Sequence, residues 1–417
     1  YGVLDVEPES PKATNQSMLD TMKYIRNHYG SEILEYPRRL LGLISDLAPE
    51  QFNERRKLKM LFDIGVVDLL KNDSENVERI IRVTEIKYGT EAEKILRIII
   101  NQYSDRTHFI YEILQNAEDA GATRIQFHLE KEKLVIEHNG RPFNEKDIEG
   151  VCGIANGTKE DGTRIGHFGI GFKSVYCYTE HPYIYSGEYH FVIQNQLFPA
   201  EVSGRKEIAY DETCMILPFD KNEVPSGVAY QEIRDALTKK ITAESIIMLD
   251  RISDVKIKID GYPEEIEINK AKYSLDKKTY ANNVFGLSMN TTIMNTSTKQ
   301  TRTRDADYLF FTDANREATA IIFRVEGKEL KAIKNSKIYA FFPTAKEAHQ
   351  NFYIHAPFDT TPARDNFKEG AEYGKHNIEL VKAIGELIWF AFQWMKNHRY
   401  LSVSGFNTVF PVYEYEN

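Results

Sequence analysis

The sequence predicts an α+β fold in which a helical first part precedes a region of short strands and helices and a further α/β part. Three observations predict it. Residues 17–101 repeat their apolar positions at helical spacing. From about 123 the period changes to two, in short runs bounded by turn residues. A long amphipathic pattern then returns at 375–397. With 417 residues and 42% hydrophobic content the chain can bury more than one core. The expected division is a helical unit over 1–90, a central domain over 91–250 and a C-terminal α/β domain over 251–417.

In "YPRRLLGLISDLAPEQFNERRKLKMLFDIGVVDLL", Leu40, Leu41, Leu43 and Ile44 precede a break at Pro49, and residues 72–74 mark a turn. Ile95, Ile98 and Ile99 give the 90–101 segment a helical face after Gly89. The stretch "FIYEILQNAED" follows as a helix whose apolar side is Phe109, Ile110, Ile113, Leu114 and Ala117. "TRIQFHLEKEKLVIEHNG" alternates in two runs split at 130–133, a hairpin signal. Beyond the glycine-rich stretch 150–171, strands are expected at 183–185, 189–193 and 213–217, a helix at 229–248 and a strand pair near 254–268. Residues 269–312 are polar, and "NTSTKQTRTRD" reads as a mobile loop. Strands at 319–325 and 337–342 precede the final long helix.

Composition narrows the function classes. A net charge of -9 argues against a generally basic nucleic-acid-binding surface, although it leaves nucleic acid open as a partner through a local patch. The three cysteines, Cys152, Cys177 and Cys214, have neither the count of a disulfide framework nor the spacing of a zinc site, which points to a reducing, cytoplasmic setting. "IGELIWFAFQW" is too short to span a bilayer, so no membrane insertion is expected. The chain opens on Tyr1, as a piece of a longer protein would.

The polar side of the 109–119 helix carries Glu112, Asn116 and Asp119 at i, i+4 and i+7. A carboxamide oxygen can ligate magnesium while a carboxylate one turn away aligns or deprotonates water, the pairing that phosphoanhydride hydrolysis requires. A solvated helix face is the alternative reading of these residues alone. A second element, "IGHFGIGFKSV", sets Gly166, Gly169 and Gly171 around Phe168 and before an apolar helix-like run. Glycines there let the backbone approach phosphate, and a following helix offers unpaired N–H groups. Lys159, Arg164 and Lys173 add positive charge, which also fits a solvated surface.

Together these boxes resemble the GHKL ATPases, the superfamily of gyrase, heat-shock chaperones of the ninety-kilodalton class, histidine kinases and MutL, and within it the sacsin-type domains. "EILQNAEDAGAT" resembles the first box, "HNGRPF" the second, "RIGHFGIGFKSVY" the third, and "ETCMILPF" the strand whose threonine touches nucleotide. The resemblance implies a Bergerat-type α/β sandwich binding ATP or ADP with Mg2+. It implies Glu112 as general base, Asn116 as metal ligand and Asp119 in the pocket wall. It also implies Gly166, Phe168, Gly169, Ile170, Gly171, Phe172, Lys173 and Lys159 along the phosphates, Thr213 toward the adenine side, and a lid over 150–164. The second box departs from the family's Asp-x-Gly-x-Gly, offering His138, Asn139 and Gly140 where the aspartate would accept from adenine's amine. His138 has a packing role as its alternative. In "APFDTTPARDNF", Arg364 is the candidate to reach the terminal phosphate, with pairing to Asp359 or Asp365 as the other reading.

The function implied is slow ATP hydrolysis coupled to lid closure in a chaperone-like protein, with a protein client or self-association as a dimer. The alternative is a nucleotide-gated scaffold or sensor with little turnover, as in a bacterial immune assembly. A histidine-kinase role is disfavoured because neither His28 nor His108 sits in a phosphoacceptor context.

Overall fold

The computed structural model describes residues 105–152, 171–194, 196, 198–205, 208–275, 282–313, 319–360, 367 and 371–410. The helices expected over 17–101, the loop over 153–170 and Arg364 lie outside the described residues.

A 3-10 turn, Arg106–His108, opens the described chain, capped by the Asp105 carboxylate, which accepts from the Thr107 N–H at 3.0 Å. Helix α1 follows as Phe109–Asp119. It stops at Gly121, whose φ of +78° suits a residue without a Cβ, and the Ala122 N–H turns back to the Ala117 carbonyl at 2.9 Å. Strands β1 (Arg124–Leu129) and β2 (Lys133–His138) form the expected hairpin. Helix α2 (Glu145–Cys152) starts at a reciprocal box in which Asn144 and Asp147 each accept the other's backbone N–H, at 3.2 and 2.8 Å. A second 3-10 stretch spans Phe172–Cys177. Strands β3 (Tyr183–Ser186), β4 (Tyr189–Gln194), β5 (Phe198–Glu201) and β6 (Thr213–Pro218) come next.

The single helix expected over 229–248 is two, α3 (Ser226–Lys239) and α4 (Ala243–Ile246). Thr242 and Ser245 cap one another at the break, and that side-chain box supplies the N–H partners a continuous helix would have used. Strands β7 (Asp254–Ile259), β8 (Glu264–Ser274), β9 (Asn282–Asn295), β10 (Thr301–Asp313), β11 (Ala320–Glu326), β12 (Glu329–Lys331), β13 (Lys337–Ala340), β14 (Phe342–Glu347) and β15 (Tyr353–His355) follow. Helices α5 (Ala371–Asn397) and α6 (Val403–Val409) end the described chain.

The mobile loop expected within 269–312 is instead a long antiparallel hairpin, β9 on β10, paired from Thr301↔Met294 to Asp313↔Asn282. Polar cross-strand bonds hold its outer part: Ser288 donates to Asp307 at 2.5 Å and Asn290 to Asp305 at 2.6 Å. The tip is closed by the Asn295 side chain, which accepts from the Ser297 and Thr298 N–H groups.

The described residues fall into two compact units, one drawn from 141–225 and the other from 102–140 together with 226–417. In the first, β6-β3-β4-β5 is an antiparallel sheet, and the buried residues include Ile184, Phe191, Ile193, Met215 and Tyr176. In the second, a mixed sheet runs β2-β1-β7-β8-β9-β10-β11-β15-β13-β14, parallel only at β1–β7 and β13–β15. An apolar cluster joins Phe311, Phe323 and Phe352 of the sheet region to Leu387, Ala391 and Trp394 of α5. The chain is therefore α+β, with helices laid against mixed and antiparallel sheet.

Candidate functional site

The site residues are distributed over both units, and each group has its own geometry. On α1 the apolar side is sealed: Phe109, Ile110, Ile113, Leu114 and Ala117 are all no more than 2% exposed. That burial turns Glu112, Asn116 and Asp119 toward the other side, where all three are half-buried. Glu112 Oε1 lies 3.0 Å from His108 Nε2, a pair one turn apart that orients the carboxylate. The Asn116 carboxamide makes no hydrogen bond among the described residues, as befits an amide available to a ligand. No three His, Cys, Asp or Glu side chains converge to hold a metal among the described residues. An ion ligated by one amide oxygen, phosphate and water fits such a surface, since magnesium keeps several waters and borrows ligands from its nucleotide.

At the end of β2, His138 is buried and its Nδ1 accepts the Gly140 N–H at 3.2 Å. Burial pushes its imidazole down to about 4, so it is neutral near pH 7. Asn139 is committed to the neighbouring strand: its Oδ1 accepts from the Thr123 and Arg124 N–H groups, both at 2.9 Å, and its Nδ2 donates to Thr123 Oγ1 at 2.8 Å. Gly140 passes so close to α1 that a Cβ would stand 2.9 Å from Ala120 Cβ and 3.1 Å from its carbonyl oxygen. That contact excludes any larger residue without a backbone shift.

Within the 141–225 unit, Gly171 leads into the 3-10 stretch, and its carbonyl accepts from both the N–H and the hydroxyl of Ser174. Phe172 is buried. Lys173 is 1% exposed, and its ammonium donates to the carbonyls of Val151 at 2.8 Å, Cys152 at 3.2 Å and Gln196 at 2.5 Å. Two of those carbonyls end α2, so the lysine satisfies acceptors that the helix itself leaves open. Burial pushes its ammonium down to about 8 and the neighbouring Cys152 thiol up to about 12. Thr213 is fully buried, its hydroxyl 2.5 Å from that of Ser186, which also accepts the Phe143 N–H. Thr213, Ser186 and the second-box Phe143 thus meet in one hydrogen-bonded cluster. Lys159, Gly166, Phe168, Gly169, Ile170 and Arg364 lie outside the described residues.

Sequence reasoning missed two contributors. His108 was weighed only as a phosphoacceptor; its i, i+4 spacing to Glu112 was the available signal. Glu118 carried no signal at all: its carboxylate accepts the N–H groups of Asp250, Arg251 and Ile252 at 2.6, 2.8 and 2.9 Å, tying α1 to the approach of β7.

Comparison with known proteins accords with the box pattern. Residues 131–214 match the family model described as the Sacsin domain. Human sacsin is 33% identical over 122 residues, which are 25% of this chain and 3% of that protein. The chaperone protein HtpG of Chlorobium chlorochromatii is 25% identical over 154 residues, covering 28% of this chain and 24% of HtpG. The chain thus spans a small part of the length of the curated relatives it matches. A solved N-terminal domain of a DNA repair protein superposes with a TM-score of 0.31 at 13% identity, over 48% of this chain and 73% of that one. No helix among the described residues is long and apolar enough to cross a membrane.

Proposed function

We propose, from a chain that carries a sacsin domain of the GHKL class, that it binds ATP with magnesium and hydrolyses it to ADP and phosphate, using the nucleotide to switch conformation. The observation that carries this reading is the polar side of α1, where Glu112 and Asn116 stand one turn apart above a sealed apolar side. Glu112 acts as general base on the attacking water, and His108 holds the carboxylate's orientation through Oε1. Asn116 offers its carboxamide oxygen to the metal, and Asp119 lies in the wall beside it. When bound, magnesium neutralises charge on the phosphates.

Gly166, Gly169 and Gly171 let the backbone approach the phosphates, with Lys159, Phe168, Ile170 and Phe172 along the same loop. Lys173 contributes by holding the end of α2 rather than by touching phosphate, since its three protons are taken by carbonyls. His138, with Gly140 giving room beside it, meets the base, while Asn139 fixes their loop; Thr213 is carried over to the adenine side. Residues 150–164 form the lid and Arg364 reaches the terminal phosphate. Residues 91–250 serve as the nucleotide part and 251–417 as the coupling part, after the helical unit of residues 1–90. The setting is cytoplasmic, and the switch acts on a protein client or a second copy of the chain.

Magnesium-dependent phosphate release and ATP binding by the purified chain test the proposal. Glu112→Ala is expected to lower turnover by about 10²–10⁴-fold while nucleotide still binds. Asn116→Ala is expected to weaken binding in magnesium more than binding in EDTA. Binding without turnover in the unaltered chain would mark a nucleotide-gated module instead.

A further inference from the structure

The end of β2 offers a ligand a hydrogen-bond donor and withholds the acceptor that the aspartate would have supplied. His138 is 3% exposed. Its Nδ1 faces a backbone N–H, which can only donate, so Nδ1 must accept. A neutral imidazole carries one proton, and here that proton is on Nε2. Nε2 has no hydrogen-bond partner among the described residues. A ligand acceptor placed there would give this N–H the partner that the described residues do not supply. Asn139 supplies no substitute acceptor, because both lone-pair directions of its oxygen are occupied by the Thr123 and Arg124 N–H groups.

We infer that His138 reads the nucleobase by donating from Nε2–H to an acceptor atom on the purine edge, so that the exocyclic amine of adenine is not the feature recognised. This rests on the nucleotide reading above. Adenine can meet such a donor through a ring nitrogen, and a 6-oxopurine can meet it through its oxo group. An amine placed against Nε2–H would oppose two donors. The substrate class is therefore purine nucleoside triphosphates irrespective of a 6-amino or 6-oxo substituent, rather than adenine nucleotides alone.

Calorimetric titration of the full chain with ATP and with inosine triphosphate, both in magnesium, tests this. The two dissociation constants are expected to agree within about threefold, whereas His138→Asp, which restores an acceptor, should favour ATP by about tenfold or more. His138→Asn keeps an acceptor for the Gly140 N–H but removes the Nε2 donor. It should weaken both nucleotides about tenfold with the circular dichroism spectrum unchanged, and this variant decides the matter if the aspartate does not fold. A tenfold preference of the unaltered chain for ATP, or unchanged affinities in His138→Asn, overturns the inference and leaves the nucleotide reading standing. Failure of every nucleotide to bind overturns both.

Discussion

Glu118 and Asp119 are adjacent carboxylates on α1 with different surroundings. Asp119 belongs to the helix side that spacing alone identifies. Glu118 is 6% exposed and accepts three backbone N–H groups from residues more than a hundred positions away. Helical periodicity tells which side of a helix a residue occupies, and nothing about which distant backbone donors will meet it, so this staple was not legible. His108 is a different case: its partner Glu112 lies one turn away, so the i, i+4 spacing was there to be read. Charge-assisted bonds to a buried carboxylate are strong, and Gln in place of Glu turns an amide NH2 group toward donors. Glu118→Gln is expected to cost about 1.5–3 kcal/mol in urea denaturation. An unchanged midpoint would mean that the three bonds contribute nothing net to stability.

At the scale of elements, legibility followed the apolar pattern. The 124–138 hairpin was readable because Ile125, Phe127 and Leu129 alternate with polar residues and answer Leu134 and Ile136 across the pair. The β9–β10 hairpin was not, because Gly286 interrupts the alternation and much of its outer half is polar, with Thr292 opposite Thr303, Thr291 opposite Arg304 and Asn290 opposite Asp305. Helix α2 was missed because its starting signal is polar. There Asp147 accepts the Asn144 N–H and a two-pronged contact from Arg141, at 2.5 and 2.9 Å. Asp147→Ala removes the cap and leaves Arg141 unmatched, with an expected cost of about 1–2 kcal/mol. Faster amide exchange confined to the first turn of α2 is the checking measurement, and protection equal to the unaltered chain would exclude the capping role.

The whole molecule carries several buried ionisable groups whose effects on stability run in one direction up to mildly alkaline pH. Burial pushes both His138 and His355 down to about 4. The unfolded chain therefore binds more protons between 4 and 6.5, and stability rises with pH through that window, by up to about 3 kcal/mol for each histidine. Lys173 and Lys270, pushed down to about 8 by burial, continue the rise between 8 and 10.5. Buried tyrosines reverse it: Tyr308 is pushed up to about 12, and burial also raises Tyr176 and Tyr339 well above the ordinary tyrosine value. The unfolded tyrosines ionise first, so stability falls above about pH 10. Urea midpoints measured from pH 5 to 10.5 are expected to climb to a maximum on the alkaline side of 8. A maximum below pH 7 would contradict this account.

The parallel pairing of β1 with β7 also has a consequence for biosynthesis. As the chain leaves the ribosome, β1 and β2 can zip together at once, but the other side of β1 stays unpaired until residues 254–259 have been made. During that interval the nascent hairpin presents a row of open backbone groups to whatever is nearby. A polypeptide ending before Asp254 would keep that row permanently, and insolubility of such a fragment would follow from a missing neighbour rather than from any fault in the candidate site.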